Sequence, residues 1–589
     1  MTETASVALE SMSREDRLYR MRHSAAHAMA EAVLEMFPEA RFAIGPPIDT
    51  GFYYDFELPR SLTPEDLDEI ERRMHVQIEA DHRFERSEIG KDEARLVFAG
   101  QPYKLELIDG IASDTVSLYR HDGFLDLCEG PHVASTRQIA PFKLMSIAGA
   151  YWRGDEHRPM LQRVYGALFE TQAELDQHLE MLEEARRRDH RRLGRELGLF
   201  TFSEDVGPGL PLFLPKGETI RHTMESYVRD VQTRYGYQHV WTGNLVRSEL
   251  YVKSGHMEHY RDAMFPLMVD GDDVHALKPM NCPSHMTLYK AQLHSYRELP
   301  IRYAEFATLY RYEKSGELSG LTRVRSLTQD DAHIFCTPDQ VQAEFARALA
   351  IIQEVLGTYG LTSYYLRLSL RDKTSDKYVA DDARWERAEQ ALQAALDAAG
   401  VNYVPATGEA AFYGPKADFM AHDALGREWQ LSTIQVDFIQ PARLELEYIG
   451  DDGQPHTPVM LHRAVTGATE RFLGLLIEHY AGAFPLWLAP VQAALIPIAD
   501  RHIEYAQRVA DRIQAAGLRP DIDSRAERMN AKIRQAQIEK VPYMLVVGDK
   551  EAETDSVSVR LRNGENLGAM SVQDCIDRMS DEVARNTLS

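Results

Sequence analysis

The sequence predicts an α+β protein of several domains. A chain of 589 residues is too long for one hydrophobic core and, at roughly 100 to 200 residues per domain, divides into about three or four. Its 44% hydrophobic and 27% charged residues suit folded globular domains. Runs with the two-residue alternation of strands, such as QLSTIQVDFI, are interleaved with long helical segments.

In chain order, residues 1–18 are polar and acidic with no apolar centre, so they read as a tail and not as a secretory signal. Residues 19–181 mix helical segments with short strands punctuated by Gly and Pro, as in AIGPPIDTGFYYDFEL, and form an α+β domain. Residues 182–198 begin LEEARRRDHRRLGREL and carry Arg186, Arg187, Arg188, Arg191, Arg192 and Arg195, which predicts a helical linker. Its arginines suit either a solvated face or a strut against phosphates. Residues 199–487 hold the largest block, with β-rich runs such as IRYAEFATLYRYE and REWQLSTIQVDFI among long helices. From 488 to 589 the pattern is strand, helix, strand, helix, strand: AALIPIA, EYAQRVADRIQAAG, RPDID, AERMNAKIRQAQIEK, YMLVVG. That repeated unit predicts a small sheet covered by helices.

The bulk properties narrow the function. Cys128, Cys282, Cys336 and Cys575 are too scattered for a disulfide framework, which leaves metal binding or catalysis for the thiols. A formal charge of -25 argues against indiscriminate nucleic-acid binding while allowing a local basic surface. The most apolar stretch, residues 484–499, is broken by Pro485, Pro490 and Pro497 and is too short to span a bilayer. A cytoplasmic protein with no membrane partner is the expectation.

Three clusters carry chemistry. RHSAAHAMAEAV places His23 and His27 one helical turn apart, and LDLCEGPHV supplies Cys128 and His132 at the same spacing. By type and spacing these four are a zinc donor set. RYEKSGELSGLTRVRSLTQDDAHIF places Arg311 and Glu313 two apart on a strand, then turns through glycines to Arg323 and Arg325 on a returning strand. Such a hairpin is either salt-bridged or a phosphate clamp with a carboxylate that accepts from an amine. Cys282, His333 and His462 would make a three-ligand zinc site with one position open, although their separation carries no spacing signature.

The strings LKPMNCPSHM, RYEKSGELSGLTRVRSLTQDDAHIF, AFYGPKADF, QLSTIQVDF and PVMLHRAVTGATERF resemble the catalytic core of the threonyl-tRNA synthetase family, class II aminoacyl-tRNA synthetases. HSAAH with DLCEGPHV and AYWRGDE resembles the family's editing domain, and VPYMLVVGDKEAE its anticodon-binding domain. The resemblance implies a class II antiparallel β-sheet core flanked by helices at 199–487. It implies an α+β editing domain at 19–181 and an α/β anticodon-binding domain at 488–589.

The resemblance also implies an activity. The chain would use ATP with Mg2+ to form threonyl adenylate, transfer threonine to tRNA(Thr), and hydrolyse seryl-tRNA(Thr) made in error. One Zn2+ per chain, on Cys282, His333 and His462, would bind the amino and hydroxyl groups of threonine and so exclude valine. Serine lacks only a methyl, worth roughly 1 to 3 kcal/mol, so a second, hydrolytic site is needed. That site would comprise His23, His27, Tyr54, Lys104, Asp126, Cys128 and His132 and work without metal. Arg311 would clamp the α-phosphate, Glu313 the adenine edge and Arg323 the terminal phosphates, while Arg471 would stack on adenine. Gln329, Asp331, Tyr413 and Gln435 would fix the amino acid beside Lys416. Arg534, Glu551 and Arg560 would read the anticodon, and the enzyme would be a homodimer.

The sequence departs from the family pattern at several positions. An N-terminal ubiquitin-like domain found in many relatives has no counterpart ahead of residue 19. Gly243 stands where motif 1 carries proline, Leu327 where an aromatic residue stacks on adenine, Ala468 where motif 3 has serine, and Ala526 where the anticodon domain often has asparagine. Aliphatic packing in place of stacking costs about 0.5 to 1.5 kcal/mol. Two rival readings are an RNA-binding regulator without ligase activity and a duplicate, inhibitor-resistant ligase. The first conflicts with retention of Arg311, Glu313, Arg471 and the three zinc donors.

Overall fold

The computed structural model describes residues 9–155, 157–422 and 427–585. The chain forms two compact units, Met1–Glu183 and Glu184–Ser589. Most of the expected N-terminal tail, residues 1–8, lies outside the described residues.

The first unit is built around α1 (Arg14–Met36), started by Ser13, whose side chain accepts from the Asp16 N–H. From Arg22 to Val33 α1 is buried on every side, and the alanines there let neighbouring elements approach closely. A five-stranded antiparallel sheet packs on it. The sheet comprises the short strands Arg41–Phe42 and Pro47–Ile48, then β1 (Gly51–Glu57), with the long pair Phe142–Tyr151 and Met160–Leu168 beyond. Next come α2 (Pro64–Ala80), opened by a Thr63/Asp66 capping box, and α3 (Pro102–Gly110). A second, three-stranded sheet holds Glu85–Gly90, β2 (Thr115–His121) and β3 (Phe124–Leu127).

The helix α4 (Gln172–Arg188) runs through the division between the units. Asp189 interrupts it, capping a second helix, α5 (His190–Glu196), through its side chain. The arginine-rich linker is therefore two helices, the first beginning ten residues before the expected position at 182.

The second unit holds an eight-stranded sheet. Its strands are β4 (Gln238–His239), β5 (Ile301–Tyr310), β6 (Ser326–Cys336), β7 (Tyr364–Leu370), β8 (Tyr403–Thr407), β9 (Lys416–His422), β10 (Glu428–Asp437) and β11 (Val459–Ala464). The order is β4-β5-β6-β11-β10-β9-β7-β8. The six inner strands are antiparallel, and each edge strand is added parallel. At one edge the reason is the crossover helix α6 (Asp382–Ala398), which returns the chain from β7 to β8 in the same direction. Helix α7 (Thr469–His479) is buried along nearly its whole length.

The registers place one row of residues straight across this sheet. Tyr303 faces His333, His333 faces His462, His462 faces Gln435, and Gln435 faces Lys416. Because side chains alternate, Asp331 and Gln329 on β6 project from the same face as His333.

The last block follows the expected strand-helix alternation through Ala493–Pro497, Ile503–Ala515, Pro520–Ile522, Met529–Ile538 and Tyr543–Val547. Its first three strands are parallel, and an antiparallel hairpin, Ser556–Leu561 and Asn566–Ser571, extends the sheet. No helix among the described residues is long and apolar enough to cross a membrane.

Candidate functional site

In the second unit, a cavity of about 250 Å³ opens over the cross-strand row. It is lined by Cys282, Arg311, Gln329, Asp331, His333, Tyr413, Lys416, Gln435 and His462, nine of the residues singled out in the sequence. The strands supply most of them, and Cys282 comes from the first turn of the helix Cys282–Lys290.

Cys282, His333 and His462 are buried with their ligand atoms within 4.8 Å of one another. The hydrogen bonds select the nitrogens. Nε2 of His462 donates to Oδ2 of Asp437 at 2.9 Å, which leaves Nδ1 as the lone-pair atom. That atom lies 3.1 Å from Nε2 of His333. Nδ1 of His333 is 2.8 Å from Nδ1 of His285, whose Nε2 is 3.1 Å from Oε2 of Glu305. With His333 donating through Nδ1 and His285 through Nε2, every ring proton has an acceptor, and both inner nitrogens keep their lone pairs. Burial pushes the Cys282 thiol well up and holds His333 well below the ordinary imidazole range, with His462 and His285 adding to the second shift. One thiol and two imidazoles with these outer partners fit a zinc ion, which would take the sulfur as thiolate.

Glu305 closes a fully buried polar network. It accepts from the Thr242 N–H at 2.8 Å and from Nδ2 of Asn281 at 2.8 Å, and Lys278 sits at 3.9 Å. Burial alone would raise its carboxyl; the hydrogen bonds from His285, Thr242 and Asn281 outweigh that and hold it at about 2. Asp437, His285, Glu305, Asn281 and Lys278 are not singled out by the sequence, although all five lie in strings quoted above: QLSTIQVDF, LKPMNCPSHM and IRYAEFATLYRYE.

Around the cavity, burial raises the Asp331 carboxyl. The Tyr413 hydroxyl donates to Oε1 of Gln435 at 2.8 Å. Lys416 is held at 3.1 Å by Asp418, which also accepts from Ser369 and Thr433.

The arginine hairpin needs a correction: β5 stops at Tyr310 and β6 starts at Ser326, so Arg311, Glu313, Arg323 and Arg325 lie on the connecting loop. The Arg311 N–H to Arg325 carbonyl bond, 2.9 Å, prolongs the pairing by one step, and a separate antiparallel bridge joins Ser319 to Arg323 nearer the tip. Arg323 pairs with Glu313 at 3.0 Å. Nε of Arg311 is buried without a hydrogen-bond partner among the described residues. Arg471 donates to the Thr322 carbonyl at 3.0 Å, and burial beside Arg311 and Arg323 lowers its pKa. Glu313, Arg323 and Arg471 stand outside the cavity lining. Leu327 packs with Ala307, Leu309, Val324 and Ala468 in an aliphatic cluster.

The first unit brings together all seven residues of the other expected site. His23 and His27 share one face of α1 as the spacing required, but Cys128 and His132 lie on the loop after β3, so their spacing is not helical. Cys128 Sγ is 3.3 Å from Nε2 of His23 and 3.3 Å from Nε2 of His132. Asp126 accepts from the Tyr54 hydroxyl at 2.6 Å and pairs with Lys104 at 2.5 Å; Lys104 also donates to Tyr54 at 3.1 Å. His27 Nε2 lies 3.5 Å from Asp126. Ser24, missed although it sits inside HSAAH, accepts from the Val133 N–H and lies 3.1 Å from Nδ1 of His132.

Burial dominates the electrostatics there. It lowers His23 to about 4 and holds His27 and His132 well below the ordinary range, so all three rings are neutral near pH 7. It lifts the Cys128 thiol to about 12, which removes the thiolate as a nucleophile. Neutral rings, a thiol and a buried lysine-carboxylate pair form a wall of donors and acceptors suited to holding a water molecule against an ester.

Arg534 is exposed on Met529–Ile538, Glu551 caps its own helix by accepting from the Gly548 N–H at 3.0 Å, and Arg560 lies on Ser556–Leu561. No hydrogen bond or ion pair joins the three among the described residues. Ala526 is exposed in the bend before Met529, and Gly243 has no close neighbour that a side chain would strike.

Three family models match the chain. The tRNA synthetase class II core domain (G, H, P, S and T) matches 265–480, the anticodon binding domain 492–582, and the threonyl and alanyl tRNA synthetase second additional domain 116–165. Threonine–tRNA ligase of Rubrobacter xylanophilus is 63% identical, covering 96% of this chain and 89% of that protein. Threonine–tRNA ligase 1 of Bacillus subtilis is 49% identical, covering 99% and 92%. Among solved structures, the RNA binding domain of threonyl-tRNA synthetase from Cryptosporidium parvum matches with TM-score 0.64 at 38% identity, over 67% of this chain and 98% of that one.

Proposed function

This chain belongs to the threonine–tRNA ligase family, and on that premise we propose how its residues divide the work. The enzyme activates threonine with ATP, transfers it to tRNA, and hydrolyses mischarged tRNA in its additional domain. The observation that carries the assignment of the synthetic site is the row His333, His462, Gln435, Lys416, with Cys282 and Asp331 beside it, all lining one cavity.

Cys282, His333 and His462 hold one zinc ion per chain. When bound, that ion supplies a Lewis acid able to take an amine and an alcohol oxygen together, which threonine offers and valine does not. Asp331, on the same face, accepts an N–H of the substrate's amino group. Gln329 and the Tyr413–Gln435 pair fix the remaining polar atoms. Arg311, whose Nε is buried with no hydrogen-bond partner among the described residues, clamps the α-phosphate. Lys416, aimed by Asp418, lines the same cavity. Arg323 and Glu313 exchange their mutual ion pair for the terminal phosphates of ATP and the adenine amino group, and Mg2+ accompanies the phosphates. Arg471 stacks on adenine while Leu327 offers aliphatic contact. Rate enhancement comes from positioning and from fixed charge around the attacking carboxylate and the departing pyrophosphate.

Rejecting serine falls to His23, His27, Tyr54, Lys104, Asp126, Cys128 and His132. A single methyl gives the synthetic site too small a margin against serine. Here the Lys104–Asp126–Tyr54 group fixes the substrate, and the neutral imidazoles with Cys128 hold the attacking water. Arg534, Glu551 and Arg560 belong to the anticodon-reading surface.

The enzyme works in the cytoplasm as a homodimer. Support for the dimer comes from a small three-stranded sheet beside Gly243, which leaves Leu245 and Val269 exposed, with Trp241 just before it 80% exposed. Threonine-dependent ATP–pyrophosphate exchange, run with valine and serine as competitors, tests the reading. Exchange with threonine and serine but not valine is expected, and no exchange by the zinc-loaded protein overturns it.

A further inference from the structure

We infer that His190 is a positioning residue for the ATP loop, the segment 311–325; the inference rests on the ligase reading of that loop. His190 opens α5 and is 3% exposed. Its Nδ1 lies 2.7 Å from Oε1 of Glu478, and its backbone N–H donates to the same oxygen at 3.2 Å. Its Nε2 accepts from the Leu321 N–H at 3.0 Å. A backbone N–H only donates, so Nε2 carries the lone pair and the ring proton sits on Nδ1, donated to Glu478. The ring therefore bridges two elements that both carry ATP contacts. Leu321 is two residues before Arg323, and Glu478 sits on α7, seven residues after Arg471.

The loop is shaped to receive this ring. Gly320 has φ +47, and a Cβ there would stand 2.2 Å from Nε2 of His190, so two independent constraints exclude other residues. Thr322, the residue after Leu321, is gripped through its carbonyl by Arg471 at 3.0 Å. The loop tip is thus tied at consecutive residues, once by a proposed ATP contact and once by a histidine outside the site. Asp189, His190 and Glu478 have the composition of a metal cluster, but both nitrogens of His190 are committed to the fold, which makes the group a bracket.

Removing the bracket frees the loop without touching the zinc donors or the amino-acid cavity. For His190→Ala, the KM for ATP in pyrophosphate exchange is expected to rise about 5- to 20-fold, the loss of one buried hydrogen-bonded bridge. The turnover number changes far less, and neither the KM for threonine nor seryl-tRNA deacylation moves. His190→Gln, whose amide accepts and donates, restores most of the ATP affinity. Should the alanine variant not fold, His190→Asn, which keeps a donor for Glu478 but falls short of Leu321, carries the same expectation. Leu193→Ala on the same helix lowers thermal stability with KM for ATP unchanged. An unaltered KM for ATP in folded His190→Ala, or equal rises for ATP and threonine, overturns the inference. Parent enzyme without exchange overturns the ligase reading instead.

Discussion

The Asp437 carboxylate sits 2.9 Å from Nε2 of His462, and this one contact decides which face of the imidazole is offered to a metal. His333 is fixed in the same way at one remove, through His285 to Glu305. Two buried anions thus stand behind two ring ligands. The arrangement locks their tautomers and keeps a lone pair on each inner nitrogen.

Cys282→Ser is expected to lose the zinc on gel filtration and to lose the preference for threonine over valine in exchange assays. Cys128→Ala keeps one zinc per chain. Two zinc ions per parent chain by metal analysis, or an unchanged content in Cys282→Ser, contradicts the assignment.

Glu305→Gln removes a charge while keeping the shape of the side chain, and His285→Leu removes the relay. Outer partners of this kind are worth about 10- to 100-fold in metal affinity. Chelator competition is expected to place His285→Leu near the upper figure and Glu305→Gln below it. Parental affinity in both folded variants would mean that the relay only fills space.

His27→Ala and His132→Ala are expected to charge tRNA with threonine at the parental rate and to accumulate seryl-tRNA. Lys104→Met leaves Asp126 buried without its cation and costs stability, about 3 to 5 kcal/mol for a broken buried pair. Deacylation by both histidine variants at the parental rate removes the editing assignment.

Because burial lowers His23 to about 4 and holds Cys128 at about 12, deacylation of seryl-tRNA is expected to stay level from pH 8 down past 6. A titration near 6.5, or a rise toward pH 9 from a thiolate, refutes this. Stability follows the same shift. Between 6.5 and about 4 the unfolded chain binds a proton at residue 23 that the folded chain refuses, so stability drops as pH falls through that window and levels below it. His27 and His132 act in the same direction. Thermal melts of the intact enzyme between pH 7 and 4 measure the loss.

Local signals were read well, and spatial ones only through resemblance. The alternation of QLSTIQVDFI gives β10, and the His23–His27 spacing gives the face of α1. The equal spacing of Cys128 and His132 was misleading, because a loop can hold two side chains as close as a helical turn does. Asp437, His285 and Glu305 carry no signature, since what defines them is a contact between elements 20 to 48 residues apart in sequence. The closing hairpin was legible and overlooked: Asn563 and Gly564 stand between its two strands, and Gly564 adopts φ +93. Nothing in RYEKSGELSGLTRVR signals that pairing ends at Tyr310, so the sequence predicts strands where the arginines lie on a loop.

The row of facing residues from Tyr303 to Lys416 also limits how this protein can vary. Adding or removing one residue within β6, β9, β10 or β11 would turn every later side chain of that strand to the opposite surface. The site residues beyond it on that strand would survive in the gene and be absent from the pocket. An extra residue is absorbed only where a bulge takes it up, as β10 does at Leu431 opposite β9.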